Sequence, residues 1–249
     1  MESTEYLRTN NKIDIVFTTW KREKISDLAL TALKRNTRTP YRLIIIDNGS
    51  NDINRSLYNQ QADIYVRLDR NMGLEYAKWL GMTFVESPYF VSMDNDILVY
   101  DYKEQDWLSQ LRDLMNKNPD YGAISLRPQV LVGTGNIFHE RTEEIIPFSH
   151  APGYGRIMRT HMVKEVGGWS DKRPLRGHEE YWIGEKFAEK GYKMGFANYI
   201  KCWHMFGDNT TDKWGYNKDM KPEDHGHNEV AGIPGNDRQA ILEGVGIEI

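Results

Sequence analysis

The stretch Tyr89–Asp96, YFVSMDND, is a short apolar run that stops at two carboxylates two residues apart. A run of this length bounded by polar residues reads as a buried strand over Tyr89–Met93. The pair just beyond it, Asp94 and Asp96 around Asn95, presents hard oxygen ligands at the open end of a sheet. Such ligands suit Mg²⁺ or Mn²⁺ carrying a diphosphate, because a divalent ion offsets the phosphate charge. A polar strand end without any metal is the plainer reading of the same residues.

Outward toward the N-terminus the pattern repeats. Ile13–Thr18 (IDIVFT) and Tyr41–Ile46 (YRLIII) read as buried strands, and Ala62–Leu68 as a third. Between the first two, Ser26 suits an N-cap, and Leu28, Ala29, Ala32 and Leu33 recur at helical spacing until Pro40 ends the segment. Asn71 is placed to cap a second helix that runs to about Glu86 and carries Leu74, Ala77, Trp79 and Leu80. Strand–helix alternation with near-continuous apolar strands predicts an α/β fold with a mostly parallel sheet flanked by helices. Ligands bind such sheets at the carboxyl ends of the strands. Thr18–Arg22, Asp47–Ser50 and Asp94–Asp96 all fall there. Asp47 suits a hydrogen bond to a base or ribose, or a local turn with Gly49.

Toward the C-terminus, residues 106–118 read as a helix stopped by Pro119, followed by a strand over Ala123–Leu126. A Gly-, Pro- and His-rich stretch runs to Gly155, and a long loop on a rigid scaffold is where recognition would sit. Arg156–Arg159 reads as a strand, then come a short helix, the turn Gly167-Gly168-Trp169, a helix over 179–190, and strands near Tyr192–Phe196 and Tyr199–Trp203. Gly207–Gly235 is poor in aliphatics and reads as an irregular tail. The organisation expected is one domain over 1–249, with one half over about 12–105, a second over about 106–206, and the tail over 207–249.

Composition narrows the function. The 249 residues are 39% apolar and 27% charged, which excludes a disordered chain. With 32 basic and 36 acidic residues the net charge is −4, and nothing marks a nucleic-acid footprint. Cys202 is the lone cysteine, so no internal disulfide forms, a cysteine-based zinc site is excluded, and a reducing, cytoplasmic location is expected. No apolar run approaches the roughly 18 residues of a membrane span, and the N-terminus, MESTEYLRTNNK, lacks the apolar core of a signal peptide. Peripheral association with a membrane stays compatible with this. Neither a G-x-x-x-x-G-K-[ST] loop nor a G-x-G-x-x-G turn is present, and His139-Glu140 and His178-Glu179 lack the second histidine of H-E-x-x-H. His225 and His227 lie in the tail without a third partner and read as solvated.

Taken in order, Thr18-Thr19-Trp20-Lys21-Arg22, Asp47-Asn48-Gly49-Ser50-Asn51-Asp52, Arg70-Asn71-Met72-Gly73 and Asp94-Asn95-Asp96 resemble glycosyltransferase family 2. Gly167-Gly168-Trp169-Ser170, His178-Glu179-Glu180, Glu189-Lys190-Gly191-Tyr192 and Trp203-His204 resemble the family's second half, so the likeness covers roughly residues 12–206. The resemblance implies a GT-A fold and a metal-dependent enzyme that moves a sugar from a nucleoside diphosphate sugar to a carbohydrate or other acceptor hydroxyl, with inversion. It implies that Asp47 contacts the base or ribose, that Thr18 and Arg22 lie where the nucleotide sits, that Arg70, Asn71 and Asn95 line the donor, and that Lys78 reaches the diphosphate. Asp94 and Asp96 match the D-x-D metal ligands, with Asp96 the direct one, and His204 matches the histidine that completes the site with Mn²⁺ or Mg²⁺.

The acidic pair matches Glu179-Glu180, whose second position is the family's general base. The family usually has Glu-Asp there, so the extra methylene leaves the role open between the two. Acidic residues opening a helix are also favourable against its dipole by about 0.3–1 kcal/mol with no catalytic duty. Helical spacing puts Glu180 on the face of Ile183, Gly184 and Phe187, predicting that it points inward, where a carboxylate needs a reason. Trp169 and Trp182 are candidates for an acceptor sugar site, with core packing the alternative for at least one. Two rival functions fit parts of the pattern. A sugar-phosphate nucleotidyltransferase shares the acidic metal site but normally needs a Gly-rich phosphate loop, and a non-catalytic nucleotide-sugar or carbohydrate-binding module would bind without consuming donor.

Overall fold

Strand β1 (Ile13–Thr19) is buried along its whole length because it lies inside the sheet with a layer on each face. The computed structural model describes residues 12–50, 55–128, 142–169 and 179–205. β1 runs parallel to β2 (Tyr41–Asp47) on one side and to β4 (Tyr89–Asp94) on the other, and β2 runs parallel to β3 (Ile64–Arg67). The register pairs Thr19 with Asp47 and Thr18 with Asp94, so three strands end level and deliver their polar residues to one rim. Side chains alternate across the sheet as the two-residue period requires. Ile15, Phe17, Leu43 and Ile45 join a core with Leu30, Leu33, Trp107 and Leu111 on one face. Val16, Ile44, Ile46 and Phe90 meet Ala77, Trp169 and Phe187 on the other. Each such side chain contributes about 1.5–3 kcal/mol by leaving water.

Helices α1 (Glu23–Asn36), α2 (Arg55–Gln61) and α3 (Leu74–Thr83) connect the first strands. α3 lies close on the sheet because Gly81 has no side chain; a Cβ there would stand 2.2 Å from Val16 Cγ1. Helix α4 (Trp107–Lys117) is capped by Asp106, which accepts from the Leu108 and Ser109 N–H groups. The same carboxylate accepts the Arg38 and Thr39 N–H groups and the Thr39 hydroxyl, tying α4 to the chain before β2.

The second half departs from the parallel expectation. After β4 the chain turns through Asn95 and Asp96 into β5 (Ile97–Val99), which crosses to the far edge. The sheet order is β3-β2-β1-β4-β8 (Arg156–Arg159)-β6 (Tyr121–Pro128)-β9 (Lys193–His204)-β5, with β7 (Ile145–Pro147) also on β9. β8 is antiparallel to both β4 and β6, while β6 is parallel to β9. β9 is a single strand where two were expected, and its register against β6 shifts between Leu126 and Arg127. Helices α5 (Thr160–Glu165) and α6 (Glu179–Glu189) complete the described chain. α1 starts before Ser26, with Arg22 rather than Ser26 at its N-cap. No helix among the described residues is long and apolar enough to cross a membrane. The tail over 207–249, His139 and His178, Ser170 and residues 129–141 of the loop before Gly155 lie outside the described residues.

Candidate active site

Asp94 ends β4 on the shared rim. Its Oδ1 lies 3.4 Å from the Thr18 hydroxyl, which donates to it, and 3.2 Å from Lys78 Nζ. Asn95 turns the other way. Its amide donates to the Ser26 hydroxyl at 2.9 Å and to the Thr19 hydroxyl at 3.2 Å, pinning the turn to β1 and α1. The structure thus gives Asn95 a bracing role where the resemblance implies a donor contact. It also explains Ser26, whose hydroxyl is spent inside the first turn of α1 and does not cap it.

Asp96 gathers a second group. Its Oδ2 lies 3.2 Å from Arg22 Nη1 and 3.7 Å from His204 Nε2, and its carbonyl accepts the Met205 N–H at 3.0 Å. Arg22 reaches it from a strained backbone: Lys21 and Arg22 have φ of 52° and 56°, in the left-handed region that L-residues avoid. Burial disfavours charge on both Asp96 and His204, but each outweighs this for the other. Asp96 is held below the usual carboxylate range with help from Arg22, and His204 is raised above the usual histidine value.

Lys78 joins the two halves of the chain. It is fully buried, donates to Glu179 Oε1 at 2.8 Å and pairs with Asp94, so it is an internal counter-ion where the resemblance implies a diphosphate contact. Burial would raise Glu179, yet Lys78 and Arg156 hold it below its ordinary value. Glu180 behaves oppositely. Its desolvation and the neighbouring Glu179 charge push its carboxyl above the ordinary range, although Arg156, Lys78 and the Gly153 N–H favour the ionised form. The buried face of α6 runs through Glu179, Ile183, Gly184 and Phe187, so Glu179 takes the inward position expected of Glu180. Glu180 sits at the edge of that face, part-buried, with its Oε1 accepting the Gly153 N–H at 2.9 Å. Gly153 in turn accepts the Asp94 N–H at its carbonyl at 3.3 Å. One residue therefore lies between the D-x-D turn and Glu180.

The rim around Asp47 is built from loops that lock together. Asp47 is buried at 1% exposure, its Oδ1 accepting the Ser50 N–H at 2.8 Å and its Oδ2 the Tyr65 hydroxyl at 3.0 Å. Gly49, at φ 82°, lies so close to the next loop that a Cβ would stand 2.4 Å from the Arg70 carbonyl carbon. Asn48 donates to Asn71 Oδ1 and accepts the Met72 N–H, both at 2.8 Å. Arg70 is exposed, with Nε 3.5 Å from Met72 Sδ.

Arg156 was not among the sequence candidates. It lies wholly buried on β8, with Nη1 donating to the Ala151 carbonyl and its guanidinium carbon 5.1 Å from the centre of the Trp169 ring. Its Nε and Nη2 find no hydrogen-bond partner among the described residues. Two arginines bounding a four-residue buried strand, RIMR, were the available signal. Trp169 is core, and Trp182 packs under Lys186, whose Nζ is 4.9 Å from its ring centre.

Among the described residues no three His, Cys, Asp or Glu side chains converge on one point. Asp96 and His204 nevertheless place a carboxylate and an imidazole 3.7 Å apart, both donor types that divalent ions take. Few protein ligands, with the rest from phosphate and water, is the usual way Mg²⁺ is held. Asp94, facing Lys78 and Thr18, is not aligned as a third.

The chain is similar to known proteins at several levels. Residues 14–175 match the model of "Glycosyl transferase family 2". Over 92 residues it is 29% identical to a teichoic acid poly(glycerol phosphate) polymerase of Staphylococcus epidermidis, which covers 34% of this chain and 13% of that protein. The mannosyltransferase PcManGT from Pyrobaculum calidifontis, solved with GDP-Man and Mn²⁺, has a TM-score of 0.61 at 15% identity over 77% of this chain and 56% of its own. GalNAc-T7, solved with UDP, GalNAc and Mn²⁺, has a TM-score of 0.61 at 15% identity, over 78% of this chain and 43% of its own. TarS residues 1–349 from S. aureus have a TM-score of 0.60 at 14% identity, over 85% and 67%. The chain thus spans about an eighth of the curated relative and roughly half of the first two solved chains. The fold is that of the GT-A glycosyltransferases, and the chain belongs to glycosyl transferase family 2.

Proposed function

We propose that this chain transfers a sugar from a nucleoside diphosphate sugar to an acceptor hydroxyl, with inversion and with the help of a divalent metal ion. The observation that carries the reading is Gly153, whose N–H holds Glu180 and whose carbonyl takes the Asp94 N–H. A carboxylate suited to accept a proton is thereby fixed one residue from the D-x-D turn. The Mn²⁺ bound with nucleotide ligands in two similar solved structures supports a metal here.

Asp96 and His204 would hold Mn²⁺ or Mg²⁺, which when bound offsets the charge of the departing diphosphate. Asp47, Asn71 and Arg70 border the nucleotide, and Thr18 and Arg22 lie between it and the metal ligands. Glu180 accepts the acceptor's hydroxyl proton as the new bond to the anomeric carbon forms and the bond to the diphosphate oxygen breaks on the opposite face. Its raised affinity for protons suits that task, whereas Glu179 is committed to Lys78. The buried Cys202 suits a reducing, cytoplasmic setting.

A thermal-shift screen of nucleoside diphosphates and their sugars, with and without Mn²⁺, tests this through binding linkage. Selective, Mn²⁺-dependent stabilisation by one base is the expected result. No stabilisation by any of them would overturn the reading.

A further inference from the structure

Tyr181, half exposed at the start of α6, lies over His150 with ring centres 4.2 Å apart and planes inclined by 34°. Behind this pair the rings continue inward. His150 is 4.6 Å from Phe148, Phe148 is 5.3 Å from Phe196, and Tyr154 lies 6.5 Å from Phe196 and 4.8 Å from His204. A row of aromatic rings thus leads from the surface to the histidine beside Asp96. Burial and the nearby Arg156 lower the affinity of His150 for a proton, so at neutral pH its ring is an uncharged flat face.

Two backbone contacts fix this pair relative to Glu180. α6 packs directly on the segment carrying His150 because Gly184 lacks a side chain; a Cβ there would stand 2.8 Å from the Ser149 carbonyl oxygen and 3.2 Å from His150 Cβ. His150 is also three residues from Gly153, whose N–H holds Glu180. Three residues span at most about 10 Å. Tyr181 also directly follows Glu180 on α6, so the ring pair borders the base.

We propose that Tyr181, backed by His150, forms the stacking platform for the acceptor, and that the acceptor presents a pyranose ring. One face of a pyranose carries C–H groups that pack on an aromatic plane, while its hydroxyls project sideways toward a base. An open-chain polyol phosphate has no such face. Neither tryptophan candidate takes this place: Trp169 is buried in the core and Trp182 lies under Lys186. This inference rests on the glycosyl-transfer reading for the direction of the hydroxyl.

Saturation-transfer NMR on the full chain tests it, with methyl pyranosides of glucose, galactose, mannose and N-acetylglucosamine as probes and glycerol 3-phosphate as the open-chain comparison. Nucleoside diphosphate binding is followed in the same samples. At least one pyranoside should receive saturation on its ring C–H protons. Tyr181→Ala should weaken it by roughly tenfold, as expected for losing the stacked face, His150→Ala should weaken it by less, and Tyr181→Phe should restore it with nucleotide binding unchanged. The platform is overturned if no pyranoside is saturated, if Tyr181→Ala leaves the signal unaltered, or if glycerol 3-phosphate binds as well. Tyr181-dependent pyranoside binding without any nucleoside diphosphate binding would keep the platform and overturn the transferase reading.

Discussion

Lys78 Nζ lies 2.8 Å from Glu179 Oε1 and 3.2 Å from Asp94 Oδ1, with no solvent exposure. The carboxylates belong to opposite halves of the chain, so one buried ammonium links the D-x-D turn to the helix that carries the acidic pair. It also separates the chemistry of the pair: Glu179 is neutralised from within and Glu180 is left to the open side.

Removing that ammonium strands two carboxylates in the interior. Lys78→Met should destabilise the fold by about 3–5 kcal/mol, the usual cost of leaving a buried charge without its partner. Urea unfolding checks this, and a loss below about 1 kcal/mol would contradict the pairing.

Gly153 has no room for a side chain, since a Cβ would stand 2.2 Å from Asp94 Oδ2. Gly153→Ala should displace the Asp94 carboxylate or the segment that holds Glu180. Mn²⁺-dependent stabilisation by nucleoside diphosphate should then weaken by about 10–100-fold, the range found when a group that orients a ligand is lost. Calorimetric titration of Mn²⁺ in the presence of the nucleotide reads it directly.

The pH dependence follows from Glu180. Burial and Glu179 raise its carboxyl above 4.5, and a base must be ionised to work, so kcat/KM should fall as pH drops through a value above 4.5. The stability effect has the opposite sign. A raised carboxyl binds its proton more tightly in the native state than in the unfolded chain, so its contribution is full below about 4.5 and is lost as pH rises through the raised value. Wild type should therefore lose stability relative to Glu180→Gln across that window, as read by denaturant midpoints at a series of pH values.

The first half of the chain was legible in the sequence because apolar strands and polar strand ends are local signals. Asp47, Asp94 and Thr18 end on one rim as the strand pattern predicts, since the register is in step. What local patterns could not show was which carboxylates would find partners. Lys78 is 101 residues from Glu179, and nothing near either position announces the pair. The same limit hid the inward turn of Asn95, whose partners Thr19 and Ser26 lie about 70 residues earlier in the chain. Sheet direction in the second half was missed for a related reason: β5 and β7 are three residues each, too short for a periodic signal, and β8 is oriented by its neighbours. The exchange of Glu179 and Glu180 on the buried face reflects a shift of one helical position, within the usual error of placing a stripe from spacing alone.

The most direct test is single-turnover transfer by Glu180→Gln and Glu179→Gln, using the donor identified by the thermal-shift screen and the pyranoside bound in the NMR experiment. Glutamine keeps the shape and the acceptor for the Gly153 N–H but does not take a proton. Glu180→Gln should slow the chemical step by about 10²–10⁴-fold while donor affinity stays nearly intact, and Glu179→Gln should act chiefly on stability. Transfer at the wild-type rate by Glu180→Gln would contradict the assignment of the base.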